Sequence, residues 1–446
     1  MNKSDIIEYK SCREIESGLT FLTGGIIAFC CSSSTSLPSA ISEINEFNID
    51  FFLKFRNECK HKTLPACAGC IYYKYAKWDC SGKIERINLN TGGICNFKCE
   101  YCGTGDTNYV LEDYSTISLR HLENLNNRGF IANGCFFTLA IGEPALYDNI
   151  DDLIAFINKV DGRACIDSNC SIYKESFEKI LYSGRGIITC SVDAGTKETF
   201  GKVKGVKCFN KVIENINKYA KAGIICSKYF IYESNFQLNE IVAYCKNMYD
   251  IGVRAFIFDF DYENGQDGHK TKDKYLKSMA FGVFIAAKLN VKFSTGSAAY
   301  HYPEFDVSLF KIIKESLKEF NSIFDRELSG YHTECQLILT DEIVGLLLTM
   351  DIIKDSKSIY IWGTGIMAER TYMTIKDIVS VAGFIDNNHN KWGEWLYSLP
   401  IYSPDILQNV SDYYIVIGSS YFEEINQQLS DLNIEKYKDF RYGIVY

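Results

Sequence analysis

The feature that most constrains the fold is a regular alternation of short apolar strands and amphipathic helices that begins at residue 83. The strand patterns lie at 83–89, 135–141, 163–168, 186–192, 223–231 and 253–259. The helical patterns between them lie near 118–127, 149–159, 173–182, 208–221 and 238–250. Strands that alternate with helices in this way form a parallel sheet with right-handed crossovers. The sequence therefore predicts an α/β fold for this stretch.

The size and composition of the chain indicate a folded protein with more than one domain. At 446 residues the chain is too long for one ordinary domain, and we expect about two or three. Hydrophobic residues make up 47% of it and there are only 6 prolines, which excludes large-scale disorder. Lys and Arg number 47 against 56 Asp and Glu. The chain as a whole therefore lacks the basic signature of a nucleic-acid-binding protein, although a local basic groove is compatible with this balance.

The N-terminal region predicts a cytoplasmic protein without a membrane span. The apolar stretch at 18–31 is well short of the roughly 20 residues that a span needs. The first ten residues, MNKSDIIEYK, contain acidic residues where a signal peptide carries only positive ones. The apolar spacing that follows predicts one helix through Ile41, Ile44, Phe47, Phe51, Phe52 and Phe55.

Cysteines are concentrated in one part of the chain, and this concentration favours a metal site. Seven of the 18 cysteines fall within 44 residues, namely Cys59, Cys67, Cys70, Cys80, Cys95, Cys99 and Cys102. The last three have the spacing C-x3-C-x2-C on the loop that follows the strand at 83–89. Three thiolates on a short loop can hold three irons of a 4Fe-4S cluster and leave the fourth iron open. A structural zinc with Cys80 as the fourth ligand is the alternative that the spacing leaves open.

A second thiol group precedes this loop. Cys67 and Cys70 are separated by two residues, as in a metal knuckle. Cys59 or Cys80, together with Cys30 or Cys31, would complete a four-thiolate site. The sequence therefore predicts a second iron–sulfur cluster or a zinc ion here, with free thiols as the alternative.

Three motifs in order carry a resemblance to a known family. The cysteine loop has Tyr101 in the aromatic position before its last cysteine, the sequence IleGlyGluPro occupies 141–144, and CysSerValAspAlaGlyThr begins at 190. This combination resembles the radical S-adenosylmethionine (radical SAM) superfamily. The resemblance implies a partial (β/α)6 TIM-like barrel, a 4Fe-4S cluster and S-adenosylmethionine as cofactors, and an electron donor such as flavodoxin or ferredoxin.

The resemblance also implies which residues contact S-adenosylmethionine. They are Tyr101, Gly142, Glu143, Pro144, Asn169, Ser191 and Asp193. Glu143 would bind the methionine amino group, and a carboxylate at a strand end suits an ammonium group. Ser191 and Asp193 would face the ribose, Tyr101 would pack near the adenine, and Asn169 would lie near the cofactor carboxylate. A solvated loop carboxylate at Glu143 and a turn cap at Asp193 are the alternatives.

The C-terminal part carries a different pattern. A strand at 357–362 is followed by Gly363-x-Gly365-x-x-Ala368 at the start of a helix, and a second strand ends at Asp386. This is the context of a dinucleotide fingerprint. The segment is similar to the small Rossmann-like domain of nucleotide-sugar and surface-polysaccharide enzymes. The resemblance leaves two interpretations open: a nucleotide bound through Gly363, Gly365 and Asp386, or a structural or docking role.

These patterns divide the chain into a Cys-rich N-terminal region at 1–82, a radical SAM partial barrel at 83–330 and a Rossmann-like domain at 331–446. The expected function is radical SAM chemistry that abstracts hydrogen from a sugar or nucleotide-sugar in surface-glycan biosynthesis. A peptide-modifying maturase and a non-catalytic metal-binding regulatory protein are the alternatives.

Overall fold

The computed structural model describes residues 9–22, 24–30, 40–61, 74–76, 78, 82–90, 94–102, 113–260, 269–296, 305–331 and 340–444. The chain forms two compact units. The first comprises Met1–Lys228 and Met248–Arg254, and the second comprises Tyr229–Asn247 and Ala255–Tyr446. None of the described helices combines the length and apolar character needed to cross a bilayer.

The strands up to residue 231 are β1 Tyr9–Ser11, β2 Gly18–Leu22, β3 Ile26–Ala28, β4 Ala40–Glu43, β5 Lys74–Ala76, β6 Ile84–Leu89, β7 Ile131–Leu139, β8 Arg163–Ser168, β9 Gly186–Ser191 and β10 Ile224–Ile231. The helices up to residue 250 are α1 Arg13–Ser17, α2 Ile49–Glu58, α3 Ser115–Asn127, α4 Ile150–Lys159, α5 Glu175–Tyr182, α6 Lys197–Lys204, α7 Phe209–Ala222 and α8 Leu238–Asp250.

The first unit is built on a mainly parallel sheet. Strands β6 to β10 lie side by side in chain order and are parallel. Strand β2 pairs in parallel with the outer side of β6, and β3 and β4 continue the sheet in antiparallel fashion. The α/β fold and the strands predicted from residue 83 onward are confirmed, whereas the closure of these strands into a partial barrel stays a prediction.

The two faces of this sheet differ in polarity. Ala164, Ile166 and Ile188 are buried, and they alternate along β8 and β9 with half-exposed positions. Helices α4 and α5 pack against these strands with apolar stripes. In α4 the stripe consists of Ile150, Leu153, Ile154 and Ile157, which recur at the spacing of one helix face. The other face of these strands is half-exposed and carries polar side chains such as Asp167 and Thr189 together with apolar ones such as Ile187.

The N-terminal helix prediction is wrong in its first half. Residues Ala40–Glu43 form strand β4, a 3-10 turn follows at Ile44–Glu46, and helix α2 begins only at Ile49. The Asn48 side chain accepts hydrogen bonds from the backbone N–H groups of Asp50 and Phe51, so it caps the helix there. Strand pairing of β4 with β3 overrides the helical spacing of the apolar residues.

The second unit contains two parallel-sheet elements. Its strands are β11 Ala255–Phe260, β12 Lys292–Ser294, β13 Ser358–Trp362, β14 Val381–Ile385, β15 Trp395–Leu396, β16 Leu399–Tyr402, β17 Tyr413–Ile417 and β18 Phe440–Tyr442. Its further helices are α9 His269–Lys288, α10 Phe305–Glu315, α11 Leu317–Leu328, α12 Ile343–Ile353, α13 Ile366–Ile375 and α14 Phe422–Asp431. Strand β11 pairs in parallel with β12.

The C-terminal strands form a second, smaller sheet in the order β15-β16-β14-β13-β17-β18, with only β15 antiparallel. The central strand β13 is buried on both faces. Ile359 and Ile361 pack in a core with α12, and Tyr360 and Trp362 pack in a core with α14. Burial on both faces is typical of a parallel sheet covered by helices. The predicted strand, glycine turn, helix and strand are confirmed, and the Rossmann-like interpretation stays a prediction.

Arg441 on β18 joins this sheet to helix α12. Its side chain is fully buried and donates hydrogen bonds to the carbonyls of Gly345, at 2.8 Å, and Thr340, and to the Thr349 hydroxyl. Burial lowers the pKa of the guanidinium. The bond to Thr340 O satisfies a buried carbonyl that precedes α12, and the bond to Gly345 O adds a donor to a carbonyl that also accepts from the Thr349 hydroxyl.

We expect Arg441→Ala to lower the free energy of unfolding of the second unit by about 3–5 kcal/mol, because it removes the Arg441 donor from the buried Thr340 carbonyl and opens a cavity. Arg370→Ala, on the exposed side of α13, is the matched control and should change it by less than about 0.5 kcal/mol. Urea unfolding followed by circular dichroism measures both. Equal stability of the two variants would contradict this role of Arg441.

Candidate functional site

The cysteine loop packs against the C-terminal end of helix α6. The backbone N–H of Lys98 donates to Lys204 O at 3.1 Å, and the N–H of Glu100 donates to Val203 O at 2.9 Å. Gly205 ends α6 with a φ of 69°, and a Cβ there would lie 2.7 Å from Lys98 O. Only glycine combines this backbone conformation with such a close approach. The end of α6 therefore fixes the backbone that carries the three cysteines.

The three thiols of this loop differ in exposure. Cys95 and Cys99 are half-buried and Cys102 is exposed. Burial raises the pKa of Cys95, and it raises that of Cys99 to about 11. For Cys99 the Lys204 ammonium acts in the opposite direction, and the other two thiols raise its pKa further. The thiols therefore lie close enough to influence one another.

The donor set of this loop fits a metal cluster. Within the described ranges, no three His, Cys, Asp or Glu side chains are arranged as a ready metal site. Three thiols on one short loop nevertheless provide the soft ligands that iron–sulfur clusters and zinc require. Because the raised pKa values keep Cys95 and Cys99 protonated, binding of a metal there would release protons.

The turn after β7 has a strained backbone. Ile141 and Gly142 both have left-handed conformations, with φ of 68° and 71°. A β-branched residue such as Ile141 rarely adopts this conformation. The Tyr147 hydroxyl donates to the carbonyls of Ala140, at 3.0 Å, and Ile141, at 2.9 Å, and so holds the turn. Backbone strain of this kind is concentrated at functional sites.

Glu143 follows this turn and is fully buried. Its carboxylate accepts hydrogen bonds from Ala145 N–H at 3.0 Å, the Ser168 hydroxyl at 2.8 Å and Asn169 N–H at 2.6 Å. Burial raises the pKa of Glu143, and these three donors oppose that effect. Glu143 N–H donates to Ile94 O at 2.8 Å, which joins the turn to the cysteine loop. The alternative of a solvated loop carboxylate is wrong, because the side chain is enclosed.

Asn169 connects the end of β8 to the cysteine loop. Its Nδ2 donates to Asn96 Oδ1 at 2.9 Å and lies 3.8 Å from Cys95 Sγ. Its Oδ1 accepts from Ser171 N–H at 2.9 Å, and Asn96 Nδ2 donates to the Ser171 hydroxyl at 2.9 Å. Asn169 therefore lies beside a cluster-ligand candidate. The predicted contact with the cofactor carboxylate stays a prediction.

Asp193 is fully buried beyond the end of β9 and has a left-handed φ of 55°. Its Oδ2 accepts hydrogen bonds from the Lys204 ammonium and the Tyr101 hydroxyl. Lys204 also donates to the Tyr101 hydroxyl at 2.9 Å, and its own side chain is only 2% exposed. We call these three side chains the buried triad. A turn-capping role alone therefore does not account for Asp193, because its carboxylate also binds the Lys204 and Tyr101 side chains.

Contacts within the buried triad shift the pKa values of its own side chains. Burial is the largest single effect and disfavours the Lys204 ammonium, yet Asp193 together with Cys99 and Cys190 outweighs it, so the pKa of Lys204 is raised. Burial and the neighbouring Asp193 raise the pKa of Tyr101, so its phenol stays protonated. The ribose contact predicted for Asp193 and the adenine contact predicted for Tyr101 stay predictions. Ser191, half-exposed at the end of β9, is paired in register with Lys228.

Sequence reasoning missed Lys204 and Ser168. The signal for Lys204 was its position directly before Gly205, at the end of the helix that follows Asp193. Ser168 was overlooked because a serine at a strand end has no distinctive chemistry. The structure reveals it as one of the three donors that fix the Glu143 carboxylate.

The remaining predicted residues fall in other places. Gly363, Gly365 and Asp386 line one cavity of about 640 Å³ in the second unit. Cys59 is buried and follows helix α2 as its cap residue. Cys30 is half-buried. The other members of the predicted N-terminal metal site lie outside the described residues, namely Cys31, Cys67, Cys70 and Cys80. A metal at that site stays a prediction.

Comparison with known families supports this interpretation of the first unit. Residues 89–232 match the family model of the Radical SAM superfamily. The cysteines at 95, 99 and 102, the Glu143 turn and the buried triad all lie within the match. Residues 355–440 match a second family model, C2185-like, N-terminal.

Similar proteins cover part of the chain. A GTP 3′,8-cyclase of Psychromonas ingrahamii is 28% identical over 177 residues, which are 39% of this chain and 49% of that protein. A probable GTP 3′,8-cyclase of Saccharolobus islandicus is 24% identical over 174 residues, which are 38% of this chain and 54% of that protein. The chain thus spans about half the length of the curated relatives it matches. The crystal structure of Streptococcus suis SuiB bound to S-adenosylmethionine is 13% identical, with a TM-score of 0.40, over 50% of this chain and 53% of that one.

We expect Lys204→Met to destabilise the first unit by about 3–5 kcal/mol, because it leaves the Asp193 carboxylate buried without its cation. The double variant Lys204→Met with Asp193→Asn should recover a large part of this loss, since it removes the unpaired charge. Urea unfolding measures the free energies, and Lys202→Met on the exposed side of α6 is the matched control. A double variant as unstable as the sum of the two single variants would contradict this explanation.

Proposed function

We propose that this protein is a radical SAM enzyme in which Cys95, Cys99 and Cys102 hold a 4Fe-4S cluster. When bound, the cluster supplies the electron for reductive cleavage of S-adenosylmethionine and thereby the means to abstract hydrogen from a substrate. The observation that carries the proposal is the hydrogen bond from Glu143 N–H to Ile94 O. This bond joins the loop of three thiols to a buried, oriented carboxylate, within the segment that matches the superfamily.

Each residue near the loop has a part in this proposal that follows from its contacts. The Glu143 carboxylate is oriented by three donors, and its remaining acceptor capacity suits the methionine ammonium group. Pro144 offers no N–H at this turn, so the first backbone donor of the turn that reaches the carboxylate is Ala145 N–H. Asn169, next to Cys95, would bind the cofactor carboxylate, and Gly142 would let the backbone approach it.

The buried triad assigns a positioning role to Asp193. Because Asp193 Oδ2 accepts from Tyr101 and Lys204, it holds the Tyr101 phenol at the edge of the cysteine loop. Tyr101 would then present its ring to the adenine, as the resemblance implies. Ser191 and Asp193 would face the ribose, as the resemblance implies; the Ser191 side chain is half-exposed and that of Asp193 is fully buried.

The half-exposed face of the parallel sheet, which we call the open face, supports the proposal of a polar substrate. Cys165, Asp167, Thr189 and Lys228 occupy half-exposed positions on one face of β8, β9 and β10. Burial raises the pKa of Asp167, while Thr189 and the charge of Lys228 act to lower it. Hydroxyls of a sugar or nucleotide-sugar would find both acceptors and donors on this face. This supports our proposal of a sugar-type substrate in surface-glycan biosynthesis.

A nucleotide substrate is a second candidate. The similar proteins that match over 174–177 residues are named as GTP 3′,8-cyclases. Modification of a peptide is the remaining enzymatic alternative. We further propose a cytoplasmic location and an electron donor of the flavodoxin or ferredoxin type. No two of the thirteen described cysteines form a disulfide with each other, which suits a reducing compartment.

We expect Cys99→Ala to abolish reductive cleavage of S-adenosylmethionine and to reduce bound iron strongly. The reconstituted parent protein should hold about four irons, or about eight if the N-terminal thiols hold a second cluster. Iron and sulfide analysis and dithionite-driven release of 5′-deoxyadenosine measure these effects under anaerobic conditions. Cys208→Ala, at another half-buried thiol, is the matched control. If the Cys99→Ala protein keeps its fold and still releases 5′-deoxyadenosine, the proposal is wrong.

We expect nucleotide sugars to increase the release of 5′-deoxyadenosine from the reconstituted protein more than GTP or a peptide encoded by a neighbouring gene. The physical reason is the array of polar groups on the open sheet face. Lys228→Met should reduce this stimulation at least about tenfold while leaving bound iron unchanged. If only GTP stimulates the release, the substrate is a nucleotide, and if only the peptide changes in mass, the substrate is a peptide. Either result contradicts the proposal of a sugar substrate.

A further inference from the structure

Exposed lysines cluster where the cysteine loop meets helix α6. The segments 94–102 and 196–211 contain five exposed lysines but only two exposed acidic residues, Glu100 and Glu198. We call the five lysines the basic patch, and they are Lys98, Lys197, Lys202, Lys207 and Lys211. The five lysines exceed the two glutamates by three positive charges, although the chain as a whole has a net charge of -9.

Backbone contacts bring the two segments together. Lys98 N–H donates to Lys204 O at 3.1 Å, and a Cβ placed on Gly205 would lie 3.1 Å from the Cβ of Lys98. Lys202 and Lys207 lie within three residues of Gly205 on either side of it. These three lysines of the patch therefore lie close together at the end of α6.

An aromatic cluster beneath the surface fixes this arrangement. The ring of Phe97, in the cysteine loop, packs against Phe200 of α6 with 5.9 Å between the ring centroids. Phe200 in turn packs against Phe209, at the start of α7, with 5.4 Å between the centroids. The loop, α6 and the first turn of α7, which carries Lys211, are thus packed on one another. The basic patch is therefore presented by a single packed surface.

The chain itself does not neutralise the basic patch. The ion pairs of α6 and α7 join Lys204 to Asp193 and Lys218 to Glu214, and neither uses a lysine of the patch. Among the described side chains, no carboxylate forms an ion pair with any of the five ammonium groups. Like charges that are held close together repel one another, so the patch costs the isolated protein free energy. Acidic side chains of a partner would offset that cost.

The basic patch lies beside the thiols that would hold the cluster. Lys98 directly precedes Cys99 in the chain, and Cys102, the last thiol of the loop, is exposed. A protein that delivers an electron to this loop must bring its own redox group close to the thiols. The exposed surface next to the loop is the basic patch, so a donor that approaches there meets positive charge.

We propose that the basic patch is the docking surface of an acidic electron-transfer protein. This inference rests on the proposed function, because it concerns the partner that reduces the cluster. One electron passes from the reduced donor protein, which is oxidised, to the cluster held by the cysteine loop, which is reduced. No bond is formed or broken in this step. The lysines steer the donor to the loop through charge complementarity and fix its orientation there.

The first measurement is calorimetric titration of the full-length reconstituted protein with oxidised flavodoxin and with a plant-type ferredoxin, each of which has a net negative charge. At least one of them should bind, and its affinity should fall at least about tenfold when KCl is raised from about 50 mM to about 300 mM, because salt screens charges on an exposed surface. If neither protein binds at the lower salt concentration, the proposal is overturned.

A charge-reversal variant connects this binding to the basic patch. Lys98→Glu together with Lys207→Glu should weaken donor binding about tenfold and slow donor-driven release of 5′-deoxyadenosine. Bound iron and dithionite-driven release should stay unchanged, since dithionite needs no docking surface. The matched control is Lys159→Glu together with Lys221→Glu, which makes the same change in charge. These two exposed lysines shortly precede β8 and β10, and so lie at the opposite edge of the sheet from the loop that follows β6.

The outcomes separate this inference from the proposed function. Equal donor binding by the two double variants overturns the docking surface. An equal loss of dithionite-driven release in the Lys98 and Lys207 variant also overturns it, because the lysines would then support the site itself. If that variant binds the donor normally but loses stimulation by a peptide from a neighbouring gene, the patch binds substrate and the proposal is wrong. A parent protein that releases no 5′-deoxyadenosine with dithionite contradicts the proposed function, and this inference then fails with it.

Discussion

The architecture around the cysteine loop depends on one buried electrostatic interaction, the pairing of the Lys204 ammonium with the Asp193 carboxylate. Both charges are removed from water, which costs several kcal/mol per ion, so each is tolerated only because the other is present. Tyr101 joins them through its hydroxyl. Since Lys204 ends α6 and Tyr101 belongs to the cysteine loop, the pair connects the end of β9, a helix end and the loop of three thiols.

The same region shows a regularity in its backbone. Ile141, Cys170 and Asp193 each lie two residues beyond the end of a neighbouring strand, and each has a left-handed φ between 55° and 68°. A single residue other than glycine in the left-handed region is uncommon. Three such residues at equivalent positions indicate that the three turns meet the same structural requirement. Each turn directs the chain across the same edge of the sheet. The donors to Glu143 and the acceptor for Lys204 lie next to these three turns.

The helices and strands of the fold could largely be predicted from the sequence, whereas strand pairing and side-chain contacts could be predicted less well. Alternating burial along β8 and β9 follows a period of two residues, so the strands could be located from hydrophobicity alone. Strand β4 could not, because its pairing with β3 is a tertiary contact that local spacing does not encode. At the site, Glu143 was predicted from a motif. Lys204 was missed because its position before Gly205 marks the end of a helix but does not indicate that the side chain is buried.

The pKa values of the cysteine loop add a further constraint on how a metal centre would form. Burial holds Cys95 and Cys99 in their protonated forms, whereas cluster ligands must be thiolates. Lys204 is the one cation among the groups that shift the pKa of Cys99, and it acts to lower it. The ammonium that neutralises Asp193 therefore also favours the thiolate form of Cys99, whereas the Asp193 carboxylate acts in the opposite direction. Packing of the loop and the chemistry of its thiols consequently depend on the same side chain, and a change at Lys204 would affect both together.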